Sequence, residues 1–251
     1  MHLLQNHLVN IIMVSYHRPN DLKLSVDSIL DKTLIPFHLS IIDNSAKAID
    51  NCLNDYANHP NITIYKNDKN IGKAAAINKW FHKIMANNQN DFFISIDSDI
   101  QVEKGWLLEM YKCYYRIKQH IPVGLIAPAI CNNLSQNWDY QIKNKHFIIH
   151  KAANIKPYYH IYPGLYHNVT NGGGLLAINI QFFIDNDLYY DERLYGGDDG
   201  QLCLAAYKKG LFVGINSNVL ARHTNIDHDD GYVQWKLRNV SKVIDKYGHW
   251  G

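Results

Sequence analysis

The sequence predicts an α/β fold with a mostly parallel central sheet, and two observations lead to this prediction. Runs of β-branched and aromatic residues alternate with segments in which apolar residues recur at helical spacing, beginning with residues 9–16 and residues 20–30. Two of the strand-like runs also end in acidic residues, one at Asp43 and one at Asp97 and Asp99. Open α/β sheets bind ligands at the carboxyl ends of their strands, so these acidic residues mark the expected site.

The predicted elements alternate as in strand–helix–strand units with right-handed crossovers. Pro19 suits the first turn of the first helix, and Asn20 or Asp21 lies near its cap. A glycine turn precedes an alanine-rich helix at residues 73–80. The predicted strands are residues 9–16, 39–44, 62–65, 92–100, 123–130, 146–149, 175–178 and 211–215. Further helices are predicted to begin near residues 102, 181, 198 and 232.

Length and composition are those of an ordinary folded protein. The 251 residues can bury a sizeable core, and the hydrophobic fraction of 47% with 19% charged residues argues against a disordered or fibrous chain. A formal net charge of +2 does not indicate a protein that coats nucleic acid through its overall charge. No segment approaches the roughly 20 apolar residues of a membrane span, and the first residues lack a signal-peptide pattern. We therefore expect a cytoplasmic protein, with peripheral contact at the inner face of a membrane left open.

The four cysteines are widely scattered. They are Cys52, Cys113, Cys131 and Cys203, and no two of them form a CxxC pair. Free thiols in a reducing compartment are the simplest account of this spacing.

The strand-like run at residues 92–100 leads into two carboxylates that are separated by one residue. If the strand continues, Asp97 and Asp99 point to the same side and reach one cation. Hard oxygen ligands in an open site suit Mg²⁺ or Mn²⁺ shared with a phosphate-bearing substrate. The alternative is a simple turn after the strand, since Asp and Ser are common turn residues.

The polar loop before the alanine-rich helix resembles a binding loop. Gly72 and Lys73 stand at the helix start, where a close approach to a nucleotide is favourable. Neither the Walker pattern nor the Rossmann GxGxxG pattern is present. A well-packed helix start without a ligand accounts for the same residues.

The second half of the chain carries three further candidate features. Three consecutive glycines at residues 172–174 indicate a close approach of the backbone to a ligand or to another strand. Asp198 and Asp199 begin an apolar helix, where they act as caps or leave one carboxylate available as a base. His223 follows the last predicted strand and is either a metal ligand or a surface histidine.

The region at residues 131–166 has a weak pattern and many aromatic residues. Tyrosine and tryptophan rings suit stacking on sugars, and the alternative is a surface loop packed by its own aromatic side chains. The aromatic residues concerned are Trp138, Tyr158, Tyr159, Tyr162 and Tyr166.

Together these motifs resemble, in their order along the chain, a family 2 glycosyltransferase of the GT-A fold. The matching segments are residues 11–18, 42–43, 70–78, 97–99, 172–174 and 197–204. The resemblance implies a single Rossmann-like nucleotide-diphosphosugar transferase domain over residues 1–251, with a mostly parallel sheet and a small antiparallel extension on the acceptor side. Residues 8–130 would bind the nucleotide sugar, residues 131–230 would carry the acceptor site and the base, and residues 231–251 would form a C-terminal helix.

The resemblance also implies a role for each matching residue. Asp99 would bind Mn²⁺ or Mg²⁺ directly, Asp97 would contact the ribose or a metal-bound water, and His223 occupies the place of a third metal ligand. Asp198 and Asp199 match a Glu-Asp pair in which the second member is usually the general base. The residues expected at the donor are Ser15, Tyr16, Arg18, Asp43, Asn70, Lys73, Asp97 and Gly173.

The expected reaction is the inverting transfer of one sugar from a nucleotide-diphosphate sugar to the hydroxyl of a carbohydrate or glycoconjugate acceptor. A UDP-sugar is favoured because it is the commonest donor of the resembled family. Residues 234–238 lack the QxxRW motif of processive synthases, and two departures concern the base region, where Asp198 replaces Glu and Gln201 replaces an acid. A nucleotidyltransferase and a non-catalytic nucleotide-sugar-binding module remain the alternatives.

Overall fold

The computed structural model describes residues 8–132, 156–167, 174–185 and 198–224. Its strands are β1 (Val9–Ser15), β2 (Phe37–Asp43), β3 (Ile62–Lys66), β4 (Phe92–Asp97), β5 (Ile100–Val102), β6 (Val123–Asn132), β7 (Lys156–Pro157), β8 (Leu165–His167), β9 (Leu175–Asn179) and β10 (Phe212–His223). Its helices are α1 (Pro19–Lys32), α2 (Asp50–Asn54), α3 (Lys73–Met85), α4 (Trp106–Lys118), α5 (Ile180–Asp185) and α6 (Asp198–Lys208).

The described strands form one mixed sheet in the order β3-β2-β1-β4-β9-β6-β10-β8-β7, and β5 pairs with β10. Strands β1 to β4 are mutually parallel, as the alternation of strands and helices predicts. Strand β9 runs antiparallel to both of its neighbours, β4 and β6. Strands β7 and β8 add an antiparallel extension beyond β10. The predicted α/β class with a mostly parallel central sheet is therefore confirmed.

Apolar side chains cover both faces of the sheet, which is why its strands are apolar without a polar face. Along β1, Ile11 and Met13 pack with α1 and α4, whereas Ile12 packs on the opposite face with α3, α5 and α6. This alternation places a helical layer on each side. Loops at the carboxyl ends of the strands are consequently the part of the sheet left open to a ligand.

The strand that carries the acidic pair is shorter than expected. Strand β4 ends at Asp97, and Ser98 and Asp99 form a turn before β5. The prediction that Asp97 and Asp99 lie on one continuous strand is therefore wrong. The physical reason is pairing with another partner, because β5 runs antiparallel to the end of β10 and the Thr224 N–H donates to the Asp99 carbonyl at 2.8 Å.

Three cysteines in the described part of the chain are free thiols. Cys113 and Cys203 are buried, and Cys52 is half-buried. Burial raises the pKa of the Cys113 thiol, which keeps it protonated and unreactive. No helix among the described residues is both long and apolar enough to cross a bilayer.

The aromatic residues of residues 131–166 are only partly described. Tyr158 packs on the Phe212 ring with a centroid distance of 5.3 Å, and the Tyr162 hydroxyl donates to Glu109 at 2.6 Å. These contacts favour the packing interpretation for both tyrosines. Tyr159 is exposed, and its hydroxyl pairs with that of Tyr166. Trp138 and the strand predicted at residues 146–149 lie outside the described residues.

Candidate functional site

The carboxyl ends of β1, β2 and β4 meet at one edge of the sheet. In the register of these parallel strands, Ser15 lies beside Asp43 and Val14 lies beside Asp97. Three of the residues expected to contact a donor, Ser15, Asp43 and Asp97, are therefore neighbours in the fold. Their position follows directly from where each apolar strand stops.

Asp99 lies in this edge between two cationic or potentially cationic side chains. Arg18 Nη1 is 2.7 Å from Asp99 Oδ2, and His223 Nε2 is 3.5 Å from Asp99 Oδ1. Asp99 is buried, so these contacts compensate for the lost hydration of its carboxylate. The arrangement brings together two residues predicted at the metal, Asp99 and His223, and one predicted at the donor, Arg18.

The backbone before α1 is held in an unfavourable conformation. His17 and Arg18 both have left-handed φ values, 47° and 80°, which cost free energy for residues with a Cβ atom. The His17 N–H donates to Ser45 Oγ at 2.8 Å, and this bond helps to hold the bend. The bend ends β1 and directs the Arg18 guanidinium back to Asp99.

Lys73 connects the acidic turn with the start of α6. Its Nζ is 2.8 Å from Asp97 Oδ1 and 3.1 Å from Asp199 Oδ2. Asp199 is buried and also accepts the Gly174 N–H at 3.2 Å. Residues that are 126 positions apart in sequence, Lys73 and Asp199, are thereby brought into contact. Asp198 begins α6, and Gly173 lies outside the described residues.

Gly174 is a site residue that the sequence interpretation missed. Its carbonyl accepts the Asp97 N–H at 2.7 Å, while its own N–H donates to Asp199, so its backbone links the two carboxylate residues. Its φ of +104° favours glycine, and a Cβ atom there would lie 3.0 Å from Ile100 Cδ1. The run of three glycines was the available signal, but a run alone does not tell which member makes the close approach.

Replacing Gly174 by alanine is expected to lower both stability and activity. The positive φ and the contact with Ile100 would cost about 1–3 kcal/mol of the free energy of unfolding. The displaced N–H would no longer hold Asp199. Thermal denaturation and activity should be measured beside Gly210→Ala, because Gly210 has a φ of +74° but open space around its Cβ position. Equal activity of both variants would contradict the role of Gly174 at the site.

The region beside Ser15 and Asp43 retains unused hydrogen-bonding capacity. Asp43 Oδ1 accepts the Ser45 N–H at 2.7 Å, whereas buried Asp43 Oδ2 and Ser15 Oγ have no hydrogen-bond partner among the described residues. Buried polar atoms without partners cost free energy and call for an explanation such as a ligand. Tyr16, the residue after Ser15, is 43% exposed, and its ring contacts His17 edge-on with a centroid distance of 4.3 Å.

Asn70 shapes the loop before Lys73. Its Oδ1 accepts the Gly72 N–H at 2.9 Å and an amide N–H of Asn44 at 3.3 Å. Gly72 has a φ of +85°, which explains why glycine suits this turn. In this structure the Asn70 side chain therefore supports the loop.

The residues predicted at a metal form a suitable set of donor atoms but not a complete cage. In the described ranges no group of three or more His, Cys, Asp or Glu side chains is arranged to hold a metal ion. Asp99 contacts His223, and Asp97 is held by Lys73. Carboxylate oxygens with an imidazole nitrogen suit Mn²⁺, and an incomplete protein shell suits a cation whose other ligands come from a phosphate-bearing substrate.

These residues lie in a stretch that matches a known protein family. The sequence profile described as Glycosyl transferase family 2 matches residues 10–178, more than half of the chain. The chain belongs to this family. The match includes Asp43, Lys73, Asp97, Asp99 and Gly174, whereas Asp199 and His223 lie beyond it. A comparison with curated proteins gives no match.

Two similar solved structures are both GT-A glycosyltransferases, and the GT-A fold predicted for this chain is thereby confirmed. GalNAc-T7, crystallised with UDP, GalNAc and Mn²⁺, has a TM-score of 0.63 at 14% identity, over 87% of this chain and 44% of that one. Residues 1–349 of S. aureus TarS give a TM-score of 0.60 at 14% identity, over 96% of this chain and 72% of that one. The family 2 glycosyltransferase spans less than half the length of the GalNAc-T7 chain.

Proposed function

We propose that this family 2 glycosyltransferase catalyses the metal-dependent, inverting and non-processive transfer of one sugar from a nucleotide-diphosphate sugar to an acceptor hydroxyl. The observation that carries the proposal is the contact of Lys73 with both Asp97 and Asp199. This contact supports the proposal because it joins the carboxylate proposed for the metal-diphosphate group to the buried carboxylate proposed as the base. The proposed setting is the synthesis of a bacterial-type surface glycan or glycoconjugate by a single cytoplasmic domain, with peripheral contact at the inner face of the membrane left open.

The unpaired atoms beside β1 and β2 support a nucleotide at this edge. Asp43 Oδ2 is a buried acceptor, and a uracil ring offers a matching N–H donor. Ser15 Oγ is available as a second partner, and the Tyr16 ring offers a face for stacking on the base. UDP is the proposed nucleotide, and the GalNAc-T7 structure, which has the same fold, contains UDP and Mn²⁺.

Asp99 and Asp97, with His223, are proposed to hold Mn²⁺ or Mg²⁺ together with the donor diphosphate. When bound, the cation supplies positive charge that stabilises the departing diphosphate. Arg18 contacts Oδ2 of Asp99 and His223 contacts Oδ1, so the cation would bind on the His223 side of this carboxylate. Both Arg18 and Lys73 would then lie near the diphosphate as further cations.

Asp199 is proposed to act as the general base. The acceptor hydroxyl attacks the anomeric carbon while its proton passes to Asp199, and the bond from that carbon to the diphosphate oxygen breaks with its electron pair leaving on the diphosphate. Attack opposite the leaving group inverts the anomeric configuration. The Gly174 N–H and Lys73 hold the Asp199 carboxylate in place.

The proposal is tested by incubating the protein with a panel of nucleotide sugars, with Mn²⁺, with Mg²⁺ and with EDTA. We expect nucleoside diphosphate to be released only when a metal ion is present, slowly by hydrolysis of the donor and faster when an acceptor sugar is added. NMR of the product should show inversion at the anomeric carbon. A donor that binds without turnover would favour a non-catalytic binding module. Release of pyrophosphate from a nucleoside triphosphate and a sugar phosphate would favour a nucleotidyltransferase.

A further inference from the structure

Three asparagine residues surround the start of α3, and two of them, Asn44 and Asn67, have no role in the proposed chemistry. Asn44 follows β2, Asn67 follows β3, and Asn70 lies in the loop before α3. Asn44 and Asn67 are only 1% and 4% exposed, and their side-chain amides are already bonded within the protein. Buried amides are retained at a cost unless their hydrogen bonds are made, which raises the question of what these bonds hold in place.

Asn44 joins three segments of the chain. Its backbone N–H donates to the Ser15 carbonyl at 2.8 Å, which ties it to the end of β1. Its Nδ2 donates to the Gly72 carbonyl at 3.1 Å and to Asn70 Oδ1 at 3.3 Å. Its Oδ1 accepts from Asn67 Nδ2 at 2.8 Å. Both atoms of the Asn44 amide are therefore used.

Asn67 extends these contacts to the second turn of α3. Its backbone N–H donates to the Asp43 carbonyl at 2.9 Å. Its Oδ1 accepts from Lys79 Nζ at 2.7 Å and from Trp80 Nε1 at 3.1 Å. The helix is thus held at two places, at Gly72 and two turns later, which determines both its position and its rotation about its axis.

The helix start that these bonds hold carries Lys73. Gly72 is the N-cap residue of α3, without a side-chain cap, and its carbonyl accepts from both the Ala76 N–H at 3.1 Å and Asn44 Nδ2. Lys73, the next residue, contacts Asp97 and Asp199. A small rotation of α3 would therefore move the lysine away from both carboxylates.

We infer that Asn44 is a positioning residue, which places Lys73 between the donor carboxylate Asp97 and the base Asp199 by holding the Gly72 turn. The inference deepens the proposed function and rests on it only for the use of Lys73 at the donor. Asn67 donates a hydrogen bond to Asn44 and accepts one from Lys79, so these two residues support the side chain of Asn44.

The first test needs no ligand. In Asn44→Ala, the Gly72 carbonyl loses one of its two hydrogen-bond donors, so hydrogen–deuterium exchange in residues 70–76 should accelerate by about tenfold, which corresponds to about 1.4 kcal/mol of local stability. Asn90→Ala is the matched control, because Asn90 is also buried but bonds the Leu8 carbonyl at the other end of the sheet. Unchanged exchange in residues 70–76 of Asn44→Ala would overturn the inference.

The second test separates positioning from general destabilisation by a double-mutant cycle with UDP and Mn²⁺. Asn44→Ala should weaken UDP binding by about tenfold in the wild-type background, and by less than about twofold in the Lys73→Met background. Equal effects in the two backgrounds would show that Asn44 does not act through Lys73. Lys79→Met should leave UDP affinity within about twofold, because Trp80 still bonds Asn67.

Steady-state kinetics add a quantity that partial unfolding does not change, which is the KM for the donor. A smaller folded fraction lowers kcat and leaves the donor KM unchanged, whereas a displaced Lys73 raises the donor KM and lowers kcat. Asn44→Ala should change both parameters and Asn90→Ala should not raise KM. If no donor turns over while the exchange and binding tests succeed, the proposed transfer reaction fails and the positioning role of Asn44 stands.

Discussion

Asp199→Asn is expected to abolish sugar transfer while donor binding persists. The amide is the same size as the carboxylate and still accepts the Gly174 N–H, but it does not take a proton from an acceptor hydroxyl. Loss of a positioned general base lowers kcat by about 10²–10⁴-fold. The measurement is kcat for transfer beside the dissociation constant of the donor nucleotide in the presence of Mn²⁺.

The control for this variant is Asp185→Asn, which makes the same chemical change on the surface, where Asp185 accepts from Gln181 at 2.7 Å. It should retain wild-type kcat. If Asp199→Asn loses donor affinity by as large a factor as it loses transfer, Asp199 contacts the donor and is not the general base. Preserved transfer in Asp199→Asn would leave the base unassigned.

The central part of the fold follows from local patterns in the sequence. The run at β1 is apolar on both faces because Ile12 faces α3 while Ile11 and Met13 face α1, and this composition is typical of a buried parallel strand. The end of β2 near Asp43 could be predicted in the same way. The GT-A fold also followed from the order of short motifs, each of which is weak when taken alone.

What the sequence did not reveal depends on contacts between distant residues. The end of β4 at Asp97 depends on the pairing of β5 with β10, more than a hundred residues later, and no local signal reports it. The antiparallel direction of β9 has the same origin, since its partners are chosen by the whole sheet. Periodicity describes which face of a strand is apolar but not which strand lies beside it.

The candidate site shows the same division between local and distant signals. The residue types of Asp97, Asp99, Lys73 and Asp199 indicated their chemistry, whereas the contact of Lys73 with Asp199 became visible only in the fold. Asn44 carries no catalytic signature, so its place behind the Gly72 turn was not predictable from its type. Supporting residues of this kind are found through their hydrogen bonds.

Asp99→Asn is expected to remove the metal dependence of donor binding. The carboxylate contacts both Arg18 and His223, and an amide has no charge to attract a divalent cation. The decisive quantity is the ratio of the UDP dissociation constant in EDTA to that in Mn²⁺. We expect this ratio to fall from at least about tenfold in the wild type to about one in the variant.

Because Asp99 is buried against Arg18, its replacement also removes this largely buried ion pair, and some loss of thermal stability is expected. Arg18→Gln with Asp99→Asn also removes the positive charge that faced Asp99 and should regain stability without regaining the metal effect. Asp50→Asn, which alters an exposed pair with Lys66, controls for the loss of one negative charge. If UDP binding by the double variant still depends on Mn²⁺, other residues bind the cation and Asp99 is not a metal ligand at the donor site.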